Sequence, residues 1–306
     1  MNINKIYNID FLNNDLPDKC ANLIIADPPY FEVKGGFDFV WNSFSDYLKD
    51  VEKWAIECKR ILSDNGTILW YGDAKNIAYA QIIFDKHFNL LNSIVWENTN
   101  DHKQQIRFNK DLRTFAPLTE RILMYDNKLE PNKCVFDSVM NYIKSERLKC
   151  RWNYTKMDDY LGIKASSCFW DKETSHEYII PNKENWLKLQ KTGNFQKPYE
   201  ELRKEYEELR RPFNNSLHLG DVIRLPNYET SNYDHDTIKP EKLTRILINT
   251  CSRKNDLVVV PFAGSGTECA MSVKEKRRFV GFEIEKKYIE IANKRVNKIL
   301  LQPTLF

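Results

Sequence analysis

Apolar positions along the chain follow two rhythms. Short unbroken runs, Leu23 to Ala26 and Leu257 to Val260, have the length and branched side chains of strands buried on both faces, and Arg278 to Ile284 reads as another strand. Other stretches have helical spacing. Asp46 to Leu62 aligns Tyr47, Leu48, Val51, Trp54, Ala55 and Cys58 on one core-facing stripe, and Glu268 to Lys276 keeps small residues on its inner side. Strands alternating with helices predict an α/β core. From about Asn127 to about Pro212 the rhythm gives way to a polar, aromatic-rich stretch. It closes with a charged helix, Tyr199 to Arg211, in which Glu200-Glu201-Leu202-Arg203 is echoed by Glu207-Glu208-Leu209-Arg210; this reads as a solvated connecting arm. The pattern divides the chain into 1–126, 127–212 and 213–306, with the outer parts forming one core and the middle part inserted.

Two strand ends carry the candidate chemistry. After Leu257 to Val260 comes Pro261-Phe262-Ala263-Gly264-Ser265-Gly266-Thr267, a glycine turn opening a helix. Glycine permits backbone conformations and close ligand approach that a β-carbon forbids. Glu283 lies 19 residues beyond Gly264, close to the spacing of roughly 20 at which an acid meets a ribose hydroxyl in nucleotide-binding βαβ units. Cys269 stands where a dinucleotide fingerprint has its third glycine, so a cofactor with adenosine and no pyrophosphate fits better. After Leu23 to Ala26 comes Asp27-Pro28-Pro29-Tyr30. Neither proline can donate to a ladder and each restricts the residue before it, so a carboxylate and an aromatic ring are held in stiff relation at a strand's C-terminal end. Asp27 can accept one hydrogen bond from an amino group while a proline carbonyl accepts the other, and Tyr30 can stack on a base. A base within a duplex has to be flipped out to reach such a site, at a cost of roughly a few kcal/mol.

These motifs, in this order and with His235-x-x-x-Lys239-Pro240 between them, resemble the β-class DNA amino-methyltransferases. Smaller pieces agree: Asp10 ahead of Leu16-Pro17-Asp18, Gly66-Thr67 with Tyr71-Gly72, Ile94-Val95-Trp96, and Glu120-Arg121-Ile122-Leu123. The resemblance covers most of residues 1–125 and 217–298. It implies a Rossmann-like mixed-sheet core, circularly permuted, and S-adenosylmethionine as cofactor. The family's catalytic segment falls on Asp27, Pro28, Pro29 and Tyr30. Its cofactor residues fall on Asp10 and Phe11, on Lys239 and Pro240, on Phe262, Ala263, Gly264, Ser265, Gly266 and Thr267, and on Glu283. Aspartate at the head of the tetrapeptide is typical of adenine-N6 enzymes and serine of cytosine-N4 enzymes, so adenine is the expected base; cytosine-N4 methylation and a non-catalytic DNA-binding subunit of the same fold are the alternatives. Many relatives place an acid immediately before Pro-Phe, where this chain has Val260. If that acid meets the cofactor's methionine amine, another group must do so here.

Composition narrows the partners. With 46 Lys and Arg against 43 Asp and Glu, the net charge of +3 is too small for overall attraction to a polyanion, so contacts to DNA must come from local clusters. One cluster is the stretch Asn98 to Phe115, with Arg107 among its cations, read as a loop closing over DNA or as an ordinary surface loop. In the middle region, Thr155 to Ile163 and Ala165 to Trp170 fit a helix-turn-helix and a plain helical hairpin equally. In the first case Lys164, Ser166 and Ser167 contact bases or phosphates, while Arg151 and Lys156 grip the backbone. The seven cysteines are scattered without metal-ligand spacing, so no metal is expected. No apolar stretch approaches the length of a membrane span, and a cytoplasmic protein is expected. Double-stranded DNA is the expected partner; a homodimer and a cognate restriction enzyme are left open.

Overall fold

The computed structural model describes residues 1–33, 36–129, 134–164, 166–169, 178–228 and 238–301. Contacts divide the chain into two units, residues 1–128 with 212–306, and residues 129–211.

The first unit is built on an eight-stranded sheet. Its strands are β1 Lys5–Tyr7, β2 Ala21–Ala26, β3 Leu62–Gly72, β4 Phe88–Asn98, β5 Thr119–Asn127, β6 Val222–Leu225, β7 Leu257–Val260 and β8 Arg278–Phe282, in the order β1-β8-β7-β2-β3-β5-β4-β6. The strands from β1 to β3 run parallel, β5 runs antiparallel to β3 and β4, and β6 is parallel to β4. Along β2, Leu23 and Ile25 enter one apolar core while Ile24 and Ala26 enter another on the opposite face. The continuous run is therefore a strand covered on both sides.

Helices supply the covers. On one face α1 Phe44–Ile61 buries Tyr47, Val51, Trp54, Ala55 and Cys58, and α2 Ile77–Phe84 adds Ile83 and Phe84. Ser43 starts α1 by accepting from the Asp46 N–H at 3.1 Å. On the other face α8 Glu241–Cys251, α9 Thr267–Lys274 and α10 Lys286–Leu300 contribute Leu243, Leu247, Met271, Ala292 and Val296. Between β4 and β5 lie a short helix, α3 Asp101–Gln105, and a 3-10 turn, Ile106–Phe108, where the sequence predicts only a loop.

Topology places the site. The chain leaves β7 through α9 to β8 on one side, and leaves the adjacent β2 through α1 to β3 on the other. Neighbouring parallel strands whose connections diverge leave a crevice at their carboxyl ends, where open α/β sheets take ligands. Both predicted motifs start there. Among the described residues no helix is long and apolar enough to cross a membrane.

The second unit packs α4 Asp137–Lys149, α5 Tyr154–Leu161, α6 Lys183–Gln190 and α7 Tyr199–Leu209 around its own core of Val139, Ile143, Met157, Trp186, Leu189, Phe195 and Leu202. Here the helix-turn-helix expectation is corrected. Helix α5 ends on Gly162 in the left-handed conformation (φ 69°), as a turn requires, but the next element is a single 3-10 turn, Ser166–Phe169, and not a second helix of recognition length. Ser166 is fully buried and its N–H donates to Asp158 at 2.8 Å, so it cannot meet a base. Ala165 and Trp170, the ends of that expected second helix, lie outside the described residues.

Candidate active site

The crevice holds a cavity of about 460 Å³ with two walls. One wall grows from β2. Asp27 is the first residue past the strand, and both its oxygens are engaged: Oδ2 lies 2.7 Å from Lys239 Nζ, and Oδ1 accepts from the Tyr30 hydroxyl. Lys239 Nζ also lies 3.0 Å from Glu120 Oε2, at the start of β5. It stands over the rings of Tyr71 and Tyr30 at 5.0 and 5.6 Å, cation–π range. Lys239 is only 4% exposed. Burial alone would lower its pKa, but Asp27 and Glu120 outweigh that and hold it above the ordinary lysine value. Two carboxylates and one ammonium give this group a net charge of −1. Burial, then the Asp27 charge, pushes the Tyr30 hydroxyl well above its usual range, so it stays a donor. Asp38, also buried, fixes the tetrapeptide from below by accepting from the Tyr30 N–H at 2.6 Å.

The other wall grows from β7. Past Val260 the chain turns through Gly264 (φ 46°) and Gly266 (φ 78°) into α9. A β-carbon on Gly266 would lie 2.9 Å from the Ala292 backbone, so the glycine also lets α10 pack against the turn. Glu283, just past β8, accepts from the Gly264 N–H and the Glu285 N–H, both at 2.8 Å, and burial raises its pKa. Phe262 stands edge-on to Trp54 with centroids 4.9 Å apart. Arg295 reaches from α10 to Thr267 Oγ1 at 2.7 Å and Glu241 at 2.8 Å, pinning the first turn of α9. Glu268, also in that turn, lines the cavity, is 5% exposed, and has its Oε1 buried without a hydrogen-bond partner.

The structure brings most of the predicted residues together. Asp10, Phe11, Asp27, Pro28, Pro29, Tyr30, Lys239, Phe262, Ala263, Gly264, Ser265, Thr267 and Glu283 all line the cavity. Asp10 also starts the 3-10 turn Phe11–Asn13 by accepting from Leu12 N–H at 2.8 Å. Gly266 and Pro240 are not among the lining residues: Gly266 serves packing, and Pro240 precedes the first turn of α8. Lys239, expected on the cofactor side, has its ammonium on Asp27. His235 lies outside the described residues. Of the DNA candidates, Arg107 is exposed on the 3-10 turn after α3, and Arg151, Lys156 and Lys164 are exposed on the second unit, where Ser167 is half-buried. Sequence reasoning missed the roles of Glu120, Tyr71, Asp38, Glu268 and Arg295. Lys239 meets Glu120 and Tyr71, and Arg295 meets Thr267 and Glu241, across long stretches of chain, whereas Asp38 lies only eight residues from Tyr30; the local signals were Glu120 in the family-like Glu120-Arg121-Ile122-Leu123 and Tyr71 in Tyr71-Gly72.

Comparison with known proteins agrees with this geometry. A family model described as DNA methylase matches residues 21–294. The chain is 27% identical over 304 residues to the Type II methyltransferase M.HinfI of Haemophilus influenzae, covering 94% of this chain and 66% of that one. It is 26% identical over 290 residues to the DNA adenine methyltransferase YhdJ of Escherichia coli, covering 92% and 78%. In fold it is similar to a DNA modification methylase of Thermus thermophilus solved with S-adenosyl-L-methionine: TM-score 0.55, 16% identity, 97% and 96% of the two chains covered.

Proposed function

The chain belongs to the DNA methylase family, and from that premise we propose that it transfers a methyl group from S-adenosylmethionine to the exocyclic N6 of a flipped-out adenine in double-stranded DNA. The observation that carries this reading is the Asp27 carboxylate, clamped between Lys239 and Tyr30 on one wall of a cavity whose other wall is the glycine turn.

The residues fit the cofactor. The cavity has the volume of a small-molecule site. Glu283 sits in it with lone pairs left over for ribose hydroxyls, and Phe11 and Phe262 offer apolar surface to an adenine ring. When bound, S-adenosylmethionine supplies an electrophilic methyl on a sulfonium. The chain's own work is orientation and charge. Asp27 accepts a hydrogen bond from the base's amine and the Pro28 carbonyl accepts the second, which turns the nitrogen lone pair toward the cavity. Positive charge then develops on that nitrogen. The Asp27–Lys239–Glu120 group, net −1 and rigid before the substrate arrives, stabilises that charge without reorganising. Tyr30 is given the stacking role from its position at the cavity, with its hydroxyl holding Asp27.

DNA contacts are assigned to the exposed segment between β4 and β5 and to the cations Arg151, Lys156 and Lys164 of residues 129–211. A cognate restriction endonuclease fits the reading, because relatives are named Type II methyltransferases. Homodimerisation is carried by the family resemblance alone. None of the seven cysteines is in a disulfide, which suits a reducing cytoplasm.

The test is mass spectrometry of nucleosides from plasmid DNA incubated with S-adenosylmethionine and either wild type or Asp27→Ala. N6-methyldeoxyadenosine from wild type alone is expected. N4-methyldeoxycytidine would overturn the base assignment, and no methylated base would overturn the reaction.

A further inference from the structure

Glu268 is an anomaly that the mechanism above does not use. It is a carboxylate in the first turn of α9, 95% removed from solvent, with Oε1 partnerless and no ion pair among the described residues, whereas Glu283 on the same wall is held by two backbone N–H groups. Leaving a buried carboxylate oxygen unsatisfied costs free energy that folds ordinarily avoid. The nearby cations are directed elsewhere. Lys239 bridges Asp27 and Glu120, and Arg295 holds Thr267 and Glu241. Burial, with the like charge of Asp27 added, raises the Glu268 pKa to about 7. A carboxylate of this kind lining a ligand cavity suits a cation small enough to enter.

A second observation comes from the end of β7. Val260 is 1% exposed and packed in the apolar core with Leu23, Ile25 and Met271, so nothing at position 260 can receive a cation. Glu268 lies on the same wall, in the first turn past the glycine loop.

We propose that Glu268 receives the α-ammonium of the cofactor's methionine moiety, taking over the ionic contact that Val260 cannot make. This rests on the S-adenosylmethionine reading of the cavity. The ammonium brings the missing partner to Oε1, and the salt bridge forms where water is largely excluded. Binding therefore favours ionised Glu268 and releases a proton when the free protein holds Glu268 protonated. The groups that set its ionisation from neighbouring elements are Asp27, Lys239, Arg295 and the Tyr71 hydroxyl.

The experiment is calorimetry with three ligands on wild type and Glu268→Gln: S-adenosylhomocysteine, its analogue with a hydroxyl in place of the α-amine, and 5′-methylthioadenosine, which lacks the amino-acid head. Glu268→Gln is expected to weaken S-adenosylhomocysteine by roughly 10- to 100-fold, the scale of a charge-assisted contact, and to leave the other two within about 3-fold. Wild-type affinity for S-adenosylhomocysteine should fall as pH drops below about 7, and the variant should lose that dependence. Unchanged affinity for S-adenosylhomocysteine in the variant overturns the assignment, as does equal weakening of all three ligands, which would mark a structural role. Failure of wild type to bind any of the three overturns the cofactor reading itself, a result separate from either of those.

Discussion

The two walls of the cavity solve different problems with different materials. The wall carried by β7 and α9 is made of backbone turns, aromatic edges and a glycine that lets a helix approach. The wall carried by β2, β5 and Lys239 is made of charge: two carboxylates and one ammonium, braced by tyrosines. Shape is indifferent to pH and salt, so the first wall suits a cofactor that must be held in one pose. Charge fixed in a low-dielectric site is suited to a transition state, because it acts where the reaction creates a charge. Glu268 breaks the division, being a carboxylate on the wall of shape whose Oε1, unlike the oxygens of Glu283, has no hydrogen-bond partner.

Substitutions can attack one wall without the other. The largest effect is expected from Lys239→Met, which keeps bulk and removes a buried ammonium from between two half-buried carboxylates. Breaking a buried pair costs about 3–5 kcal/mol. Because Lys239 has its pKa raised on folding, its stabilisation is present at neutral pH and is lost only as pH rises past its folded value, above the lysine range. The variant's deficit should be full at pH 8 and shrink only as pH rises above the ordinary lysine value of 10.5; urea denaturation at pH 8 and pH 11 checks this.

Gly266→Ala attacks the opposite wall through shape alone. It forces an alanine to φ 78° with its β-carbon 2.7 Å from the Ala292 side chain. Left-handed strain and overpacking together should cost about 2–5 kcal/mol, with a pH profile parallel to that of wild type. A profile like that of Lys239→Met would erase the distinction between the walls.

Glu268→Gln should move stability the other way. The carboxyl titrates near 4.5 when unfolded and at about 7 when folded, so between those values the folded state binds more protons and stability falls as pH rises. Removing the acid should raise stability by about 2–3 kcal/mol at pH 8 and leave it nearly unchanged at pH 4. Thermal denaturation at the two pH values gives the sign.

The smallest effect on stability is expected from Phe115→Ala. Phe115 is fully exposed in the segment between β4 and β5, so the change should stay within about 0.5 kcal/mol. If that segment meets DNA, the same substitution should weaken plasmid binding in a gel-shift titration while leaving cofactor affinity unchanged.

What the sequence made legible was local. A strand, a stiff tetrapeptide, a glycine turn and an acid at fixed spacing are all written in neighbouring residues, and Asp27, Gly264 and Glu283 meet at the cavity as their spacing implies. The partners of Lys239 were not legible, because β5 brings Glu120 to it only through the antiparallel return beside β3. Cys269 shows how a local rule can be satisfied from afar. The third glycine is absent from the turn, but Gly281 on β8 stands opposite, where a β-carbon would lie 2.7 Å from Cys269 Sγ. The room between helix and strand is thus made from the strand side. In the middle of the chain the pattern misled, since Gly162 ends α5 as a turn should while the next segment is tied down by Asp158 and forms a single 3-10 turn.

The division of labour between the walls is tested most directly by single-turnover methyl transfer to plasmid DNA by wild type, Asp27→Ala and Glu120→Gln, with S-adenosylhomocysteine affinity measured on the same samples. The account predicts that Asp27→Ala slows the transfer step by about 10²–10³-fold and Glu120→Gln by less, with cofactor affinity within about 3-fold of wild type in both. Loss of cofactor affinity with an unchanged transfer rate would place Asp27 on the cofactor's wall and contradict it.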